Sequence, residues 1–110
     1  MNFDNAGNEL NEYGFRKDFD WNNRFDLKTE VDGYLISTVD LGLDHSFGIG
    51  EPLYYETMIF EKKDNDVNYR DLYCKRYATK EEAKIGHAIA IKYVKEGFIK
   101  NEKGINWKTT

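Results

Sequence analysis

Ionisable side chains and glycines are concentrated in one stretch of the chain, residues 35–61, where they lie between two apolar runs. The loop at its centre begins with Asp44 and His45 and ends with Glu51 and Pro52. A carboxylate beside an imidazole can hold a metal ion, exchange a proton or bind a polar ligand. Polar groups of this kind between apolar strands indicate a site, although no motif in the sequence assigns it a reaction.

The alternation of strands and the period of helices predict that three ionisable side chains point toward one interior. The apolar residues that share the face of His45 on one predicted strand are Leu35, Val39, Leu41 and Leu43. The residues that share the face of Glu56 on the next strand are Tyr54, Met58 and Phe60. His87 falls in a stripe of small residues on a predicted helix. We therefore expect His45, Glu56 and His87 to lie close together, with Asp44 beside them.

Three hypotheses for this cluster remain open. Two histidines and a carboxylate can hold a divalent ion, with Asp44 as the general base of a small metal-dependent enzyme. The same groups can form a ligand pocket, with Tyr54 and Tyr55 as further contacts. They can also satisfy one another as a buried structural network. Because no HxxH, HExxH or CxxC spacing supports a metal, no cofactor is predicted.

Local signals predict an antiparallel meander of about four strands. The predicted strands are residues 24–31, 34–43, 53–61 and 67–77. Asp32-Gly33 between alternating segments is typical of a type I′ hairpin turn, and residues 64–66 are typical of a second turn. The tyrosines expected on one side of the fourth strand are Tyr69, Tyr73 and Tyr77.

A helix is predicted at the end of this meander. Thr79 is typical of an N-cap, Glu82 three residues later completes a capping box, and Gly97 is typical of a helix stop. The residues predicted to face the sheet are Ala83, Gly86, His87, Ala90 and Val94.

The whole chain of 110 residues is predicted to form one α+β domain. Residues 1–23 form an N-terminal turn or arm, residues 24–77 the antiparallel sheet and residues 79–97 a helix packed on it. The tail, residues 98–110, adds a short strand or packs Trp107 against the body.

The charge of −4 is unevenly distributed. Residues 1–75 carry sixteen acidic and eight basic side chains, whereas residues 76–110 carry four acidic and eight basic ones. An acidic body argues against general DNA binding and permits docking on a basic partner. The sequence contains no run of about 20 apolar residues, so no membrane partner is predicted. The single cysteine is typical of a reducing compartment.

Two segments of the chain resemble a widespread family of small, mostly uncharacterised bacteriophage and prophage proteins. Residues 35–61 read LISTVDLGLDHSFGIGEPLYYETMIFE, and residues 76–87 read RYATKEEAKIGH. The family pattern is near STVWLGLDHxFGxGxPLxFETMVF followed by RYxTxEEAxxGH. The positions that make the resemblance specific are Asp44-His45, Phe47-Gly48, Glu56-Thr57-Met58 and Gly86-His87. The chain departs from the family at Asp40, where the pattern has tryptophan, and in a longer insert between Glu61 and Arg76.

The resemblance implies a phage-encoded protein in the host cytoplasm. We predict a non-enzymatic binding protein, with counter-defence as its context, that inhibits a host defence protein or sequesters a nucleotide signal. Its predicted pocket comprises Asp44, His45, Tyr54, Tyr55, Glu56 and His87. The metal-dependent enzyme and a purely structural or regulatory phage protein are the alternatives. A homo-oligomer is compatible with each of them.

Overall fold

The two predicted turns form in the computed structural model, which describes residues 2–99. Asp32, Gly33 and Asp64 take φ values of 51°, 85° and 57°, and the first two are those of a type I′ turn. The strands are β1 (Asn2–Phe3), β2 (Glu9–Leu10), β3 (Asp26–Val31), β4 (Tyr34–Asp40), β5 (Tyr55–Lys63) and β6 (Asp66–Tyr77), followed by the helix α1 (Lys80–Lys95).

Strands β3 to β6 form one antiparallel sheet in chain order, and α1 packs on it. The predicted α+β meander with one helix is therefore confirmed. The predicted boundaries around the central loop are wrong, because β4 ends at Asp40 and β5 begins at Tyr55. Residues 41–54 leave the regular ladder, although the N–H of Leu41 still donates to the carbonyl of Tyr54 (2.7 Å).

The register of the sheet decides which residues meet α1, and this face is named the helix face. Its centre is formed by two fully buried cross-strand pairs, Ile36–Ile59 and Thr38–Thr57. The prediction that Leu35 belongs to the buried face of β4 is wrong, because Leu35 alternates with these residues and is only half-buried. The residues of β4 on the helix face are Tyr34, Ile36, Thr38 and Asp40. The opposite side is named the outer face.

A β-bulge interrupts the pairing of β5 with β6. One residue of β5, Phe60, faces residues 69–72 of β6. Tyr69 packs edge-on against Phe60, with 5.5 Å between ring centroids, on the outer face. Tyr73 and Tyr77 lie opposite helix-face residues of β5. The prediction that the three tyrosines share one side of the strand is therefore wrong for Tyr69, because a bulge breaks the alternation.

The N-cap and the glycine stop of α1 form as predicted, whereas the predicted capping box is only half formed, because the Glu82 carboxylate accepts the Thr79 hydroxyl in place of the Thr79 N–H. The Thr79 hydroxyl accepts the N–H of Glu82 (3.1 Å) and donates to the Glu82 carboxylate (3.0 Å). Gly97 takes a φ of 80°, and the N–H of Phe98 donates to the carbonyl of Tyr93 (2.9 Å), as in a Schellman motif. The buried residues of α1 are the predicted ones, Ala83, Gly86, His87, Ala90 and Val94. The predicted position of Trp107 lies outside the described residues.

The same type of turn occurs twice in the N-terminal arm, and the two turns start seven residues apart. In residues 4–8, Oδ1 of Asp4 accepts the N–H groups two and four residues further on (2.9 and 2.8 Å). In residues 11–15, Oδ1 of Asn11 accepts the equivalent N–H groups (2.9 and 3.0 Å). Gly7 and Gly14 take matching φ values of 86° and 87°. The predicted turn or arm is thus a short meander, in which each turn is closed by its own side chain.

Candidate functional site

The predicted meeting of His45, Glu56 and His87 is wrong. Glu56 lies opposite Val39 on the outer face, where its carboxylate accepts a hydrogen bond from Nε of Arg76 (2.9 Å). His87 lies beneath α1 on the helix face, and His45 lies in the loop beyond β4. Within residues 2–99 no group of three or more histidine, cysteine, aspartate or glutamate side chains is placed to hold a metal ion.

His87 belongs to a buried network of hydroxyl groups. Its Nδ1 lies 2.7 Å from the Thr38 hydroxyl and its Nε2 lies 2.9 Å from the Thr29 hydroxyl. The hydroxyls of Thr38 and Thr57 are themselves 2.6 Å apart. Burial lowers the pKa of His87, because desolvation disfavours the charged imidazolium. The imidazole therefore joins α1 to two strands as a neutral group.

We expect the free energy of unfolding to fall as the pH is lowered from about 6.5 toward 5, the range in which unfolded histidine takes up a proton. The folded pKa of His87 lies below that of the unfolded chain, so the unfolded state binds more protons in this window. Urea denaturation at several pH values measures the slope, to which one group contributes no more than about 1.4 kcal/mol per pH unit.

One variant tests the role of His87. His87→Gln should flatten the slope between pH 5 and about 6.5. An unchanged slope in His87→Gln would show that another group causes the acid sensitivity.

Asp44 closes the loop between β4 and β5. Its Oδ1 accepts the N–H groups of Ser46 (2.8 Å) and Leu53 (2.9 Å), and its Oδ2 accepts the Ser46 hydroxyl (2.9 Å). Burial alone would raise the pKa of Asp44, but these donors hold it below its usual value. The Nδ1–H of the adjacent His45 donates to the carbonyl of Leu43 (2.9 Å). Asp44 therefore fixes the base of the loop.

The tip of this loop carries two apolar side chains into solvent. Phe47 is 85% exposed and Ile49 is 82% exposed. Three tip residues take left-handed conformations, Phe47 at 56°, Gly48 at 79° and Gly50 at 75°. A bulky aromatic residue rarely adopts a positive φ. The alternation of Phe47 and Ile49 with glycines is the local sequence signal at this tip, but it does not show that the side chains are exposed, and the sequence-based site did not include them.

Tyr54 and Tyr55, predicted as ligand contacts, are buried at 3% and 9% exposure. The Tyr54 hydroxyl donates to the Asp4 carboxylate, and burial together with that carboxylate raises the pKa of Tyr54. Tyr55 packs edge-on against Phe25, with 5.9 Å between ring centroids. Tyr54 therefore joins the N-terminal arm to the sheet, and Tyr55 packs against the residue that precedes β3.

A buried ion pair lies over these tyrosines and was missing from the predicted site. Arg16 donates from Nη2 and Nη1 to the two carboxylate oxygens of Asp40 (2.6 and 3.3 Å). Its guanidinium carbon lies 4.8 Å from the ring centroid of Tyr54 and 5.9 Å from that of Tyr55. Burial would lower the pKa of Arg16, but the carboxylates of Asp40 and Asp18 raise it. The arm is thus fixed to the end of the sheet by a charged contact.

Scans of protein-family models, curated proteins and solved structures gave no match to this chain. No helix among the described residues is long and apolar enough to cross a membrane. The resemblance to phage proteins stays a prediction.

Proposed function

We propose that this chain is a small binding protein that docks on a host protein through its loop, residues 44–53. The observation that supports this function most is the exposure of Phe47 and Ile49, at 85% and 82%, on a loop whose base is closed by Asp44. Aromatic and apolar side chains that enter a partner's pocket supply most of the binding energy of many interfaces. The counter-defence context follows from the resemblance to phage proteins.

The backbone of the loop supports recognition rather than a passive connection. The positive φ of Phe47, 56°, costs roughly 1–2 kcal/mol for a residue with a Cβ. The hydrogen bonds of Asp44 to Ser46 and Leu53 hold the ends of the loop while the tip keeps this conformation. A loop whose ends are held before binding loses less backbone entropy in the complex.

The charges near the loop favour a protein partner over a nucleotide. The carboxylates of Asp4 and Asp44 lie close enough for their charges to interact, and residues 1–75 carry sixteen acidic against eight basic side chains. Such a surface repels phosphate groups and attracts a basic rim around an apolar pocket. We therefore propose a host protein, rather than a nucleotide signal, as the partner of the loop. The metal-dependent alternative is not retained, because its three proposed ligands lie apart.

The test begins with a partner recovered from a bacterial host lysate on the wild-type chain, which is then purified and titrated calorimetrically. Phe47→Ser should raise its Kd by about 30-fold or more, since removal of a central aromatic anchor costs about 2 kcal/mol or more. Asp44→Ala, which frees the base of the loop, should weaken binding as well.

Tyr69→Ser is the matched control, because Tyr69 is 75% exposed on the bulge of β6. It should leave the Kd within about twofold. Phe47→Ser should keep the wild-type Tm, whereas Asp44→Ala and Tyr69→Ser each remove a contact of the folded chain and should lower it. Equal affinity of Phe47→Ser and the wild type would reject the loop as the binding surface. The protein-docking function would be rejected if the wild-type protein retained a nucleotide in native mass spectrometry and both Phe47→Ser and Asp44→Ala retained it as well.

A further inference from the structure

The side of α1 that borders β6 carries an apolar stripe that the sheet covers only at Tyr93, which packs edge-on against Tyr73 of β6 with 6.0 Å between ring centroids. Ile85 is 62% exposed, Ile89 40% and Tyr93 37%, and Phe98 beyond the helix is 67% exposed. A shallow cavity of about 230 Å³ lies between this stripe and Tyr73 of β6. A helix packed on one sheet normally presents charged and polar residues on its other sides. This second apolar stripe therefore indicates a contact surface.

The spacing of the stripe is that of a helix–helix seam. Glu82, Ile85, Ile89 and Lys92 follow each other at intervals of three, four and three residues, the pattern by which paired helices meet. Its two central positions are apolar and its two ends are oppositely charged. Acidic residues occupy the first turn of α1 and basic residues the last, so the seam is complementary to itself when reversed.

We propose that the partner of this stripe is a second copy of the chain, with the two α1 helices packed antiparallel about a twofold axis at the level of position 87. In this register Ile85 lies level with Ile89 of the second copy, and Glu82 lies level with Lys92 of the second copy. The antiparallel arrangement also places opposite ends of the helix dipoles side by side. Lys92 lies 3.8 Å from Glu96 within its own chain, and both side chains are largely exposed, so that weak pair does not compete strongly.

The exposed area fits a homodimer. At roughly 200 Å² for each large apolar residue, the exposed fractions of Ile85, Ile89, Tyr93 and Phe98 amount to about 400 Å² per copy. A standard interface buries about 800 Å² per partner, of which about 65% is apolar in homodimers. The half-buried Leu72 and Tyr73 line the adjoining depression and extend the apolar surface toward that value.

Sedimentation equilibrium of the full chain tests the proposal. The wild type should have twice the monomer mass of 13.0 kDa, and Ile85→Glu should raise the dimer dissociation constant by about 30-fold or more, since it places a carboxylate in the apolar seam. Lys84→Glu changes charge on the same helix outside the seam and should leave the dimer intact.

A charge exchange tests the register separately. Glu82→Lys should weaken the dimer by bringing lysines together, and Glu82→Lys combined with Lys92→Glu should restore it. A monomer at every concentration up to about 500 μM would overturn the proposal, since interfaces of standard size associate far more tightly. A dimer that Ile85→Glu leaves unchanged would also overturn it. Phe47→Ser should stay dimeric, so failure here is distinct from failure of the loop as a binding surface.

Discussion

Replacing Asp40 with alanine is expected to lower the free energy of unfolding by about 3–5 kcal/mol, because it leaves a buried guanidinium without its partner. The side chains of Arg16 and Asp40 are only 12% and 7% exposed. Asp40 also accepts the N–H of Gly42 (2.9 Å), and that donor loses its acceptor as well. Asp18 remains beside Arg16, but its side chain is 75% exposed, so solvent screens the remaining pair. Urea denaturation of both proteins at pH 7 measures the difference.

Asp26→Ala is the matched control for this substitution. Asp26 pairs with Lys28 at 2.6 Å, but the two side chains are 37% and 50% exposed, and its loss should cost no more than about 1 kcal/mol. Arg16→Met combined with Asp40→Leu should be less destabilising than Asp40→Ala, since no buried charge remains. If Asp40→Ala cost no more than Asp26→Ala, the ion pair would not hold the arm to the sheet.

Gly86→Ala is expected to lower the free energy of unfolding by about 2 kcal/mol or more, although alanine is the better helix former. A methyl group at position 86 would overlap the oxygen, Cζ and Cε1 of the Tyr77 phenol. Tyr77 is 6% exposed and packs among buried residues, so it can move away only by giving up core contacts. The gain in helix propensity of about 1 kcal/mol is smaller than the cost of such overpacking. Thermal and urea denaturation measure the net effect.

Two further variants separate these opposing terms. Ala88 is exposed on the same helix, and Ala88→Gly should cost only the propensity of about 1 kcal/mol. Tyr77→Leu should relieve the overlap, so Gly86→Ala should cost less in that background than in the wild type. A Gly86→Ala protein more stable than the wild type would show that the phenol has room to move.

The hydroxyl of Tyr77 adds a reason for this sensitivity. Within residues 2–99 this buried hydroxyl makes no well-aligned hydrogen bond, and the hydroxyl groups of Thr57 and Tyr73 are its polar neighbours. Burial raises the pKa of Tyr77, because desolvation disfavours the charged phenolate. Gly86 allows the ring to lie against the helix backbone in this position, which explains why the smallest residue occurs in the buried stripe.

The fold could be predicted wherever a short stretch of sequence decides the conformation. The turn at Asp32-Gly33 and the helix ends at Thr79 and Gly97 depend on residues within one turn of each other, and all three were confirmed. The ends of β4 and β5 were not predicted correctly. Residues 41–54 keep apolar alternation while Asp44 and four left-handed residues turn the chain into a loop.

The candidate site could be located along the sequence but not assembled from it. Alternation shows which residues share a side of a strand, yet the side that meets α1 depends on the docked helix, and this separates Glu56 from His87. The ion pair of Arg16 with Asp40 joins positions 24 apart in the chain. Nothing local marks either residue as half of a pair. Phe47 and Ile49 are apolar residues of the kind expected in a core, and only the conformation of the closed loop exposes them to solvent.

The β-bulge described in β6 also bears on how this protein avoids aggregation. Strands β3 and β6 are the two edges of the sheet, and an open edge can recruit strands from other molecules into fibrils. On β6 the pairing is interrupted at residues 69–72, and on β3 charged side chains alternate along the outer face as Asp26, Lys28 and Glu30. Both edges therefore disfavour the addition of strands from other molecules, so we expect the protein to resist aggregation at high expression levels.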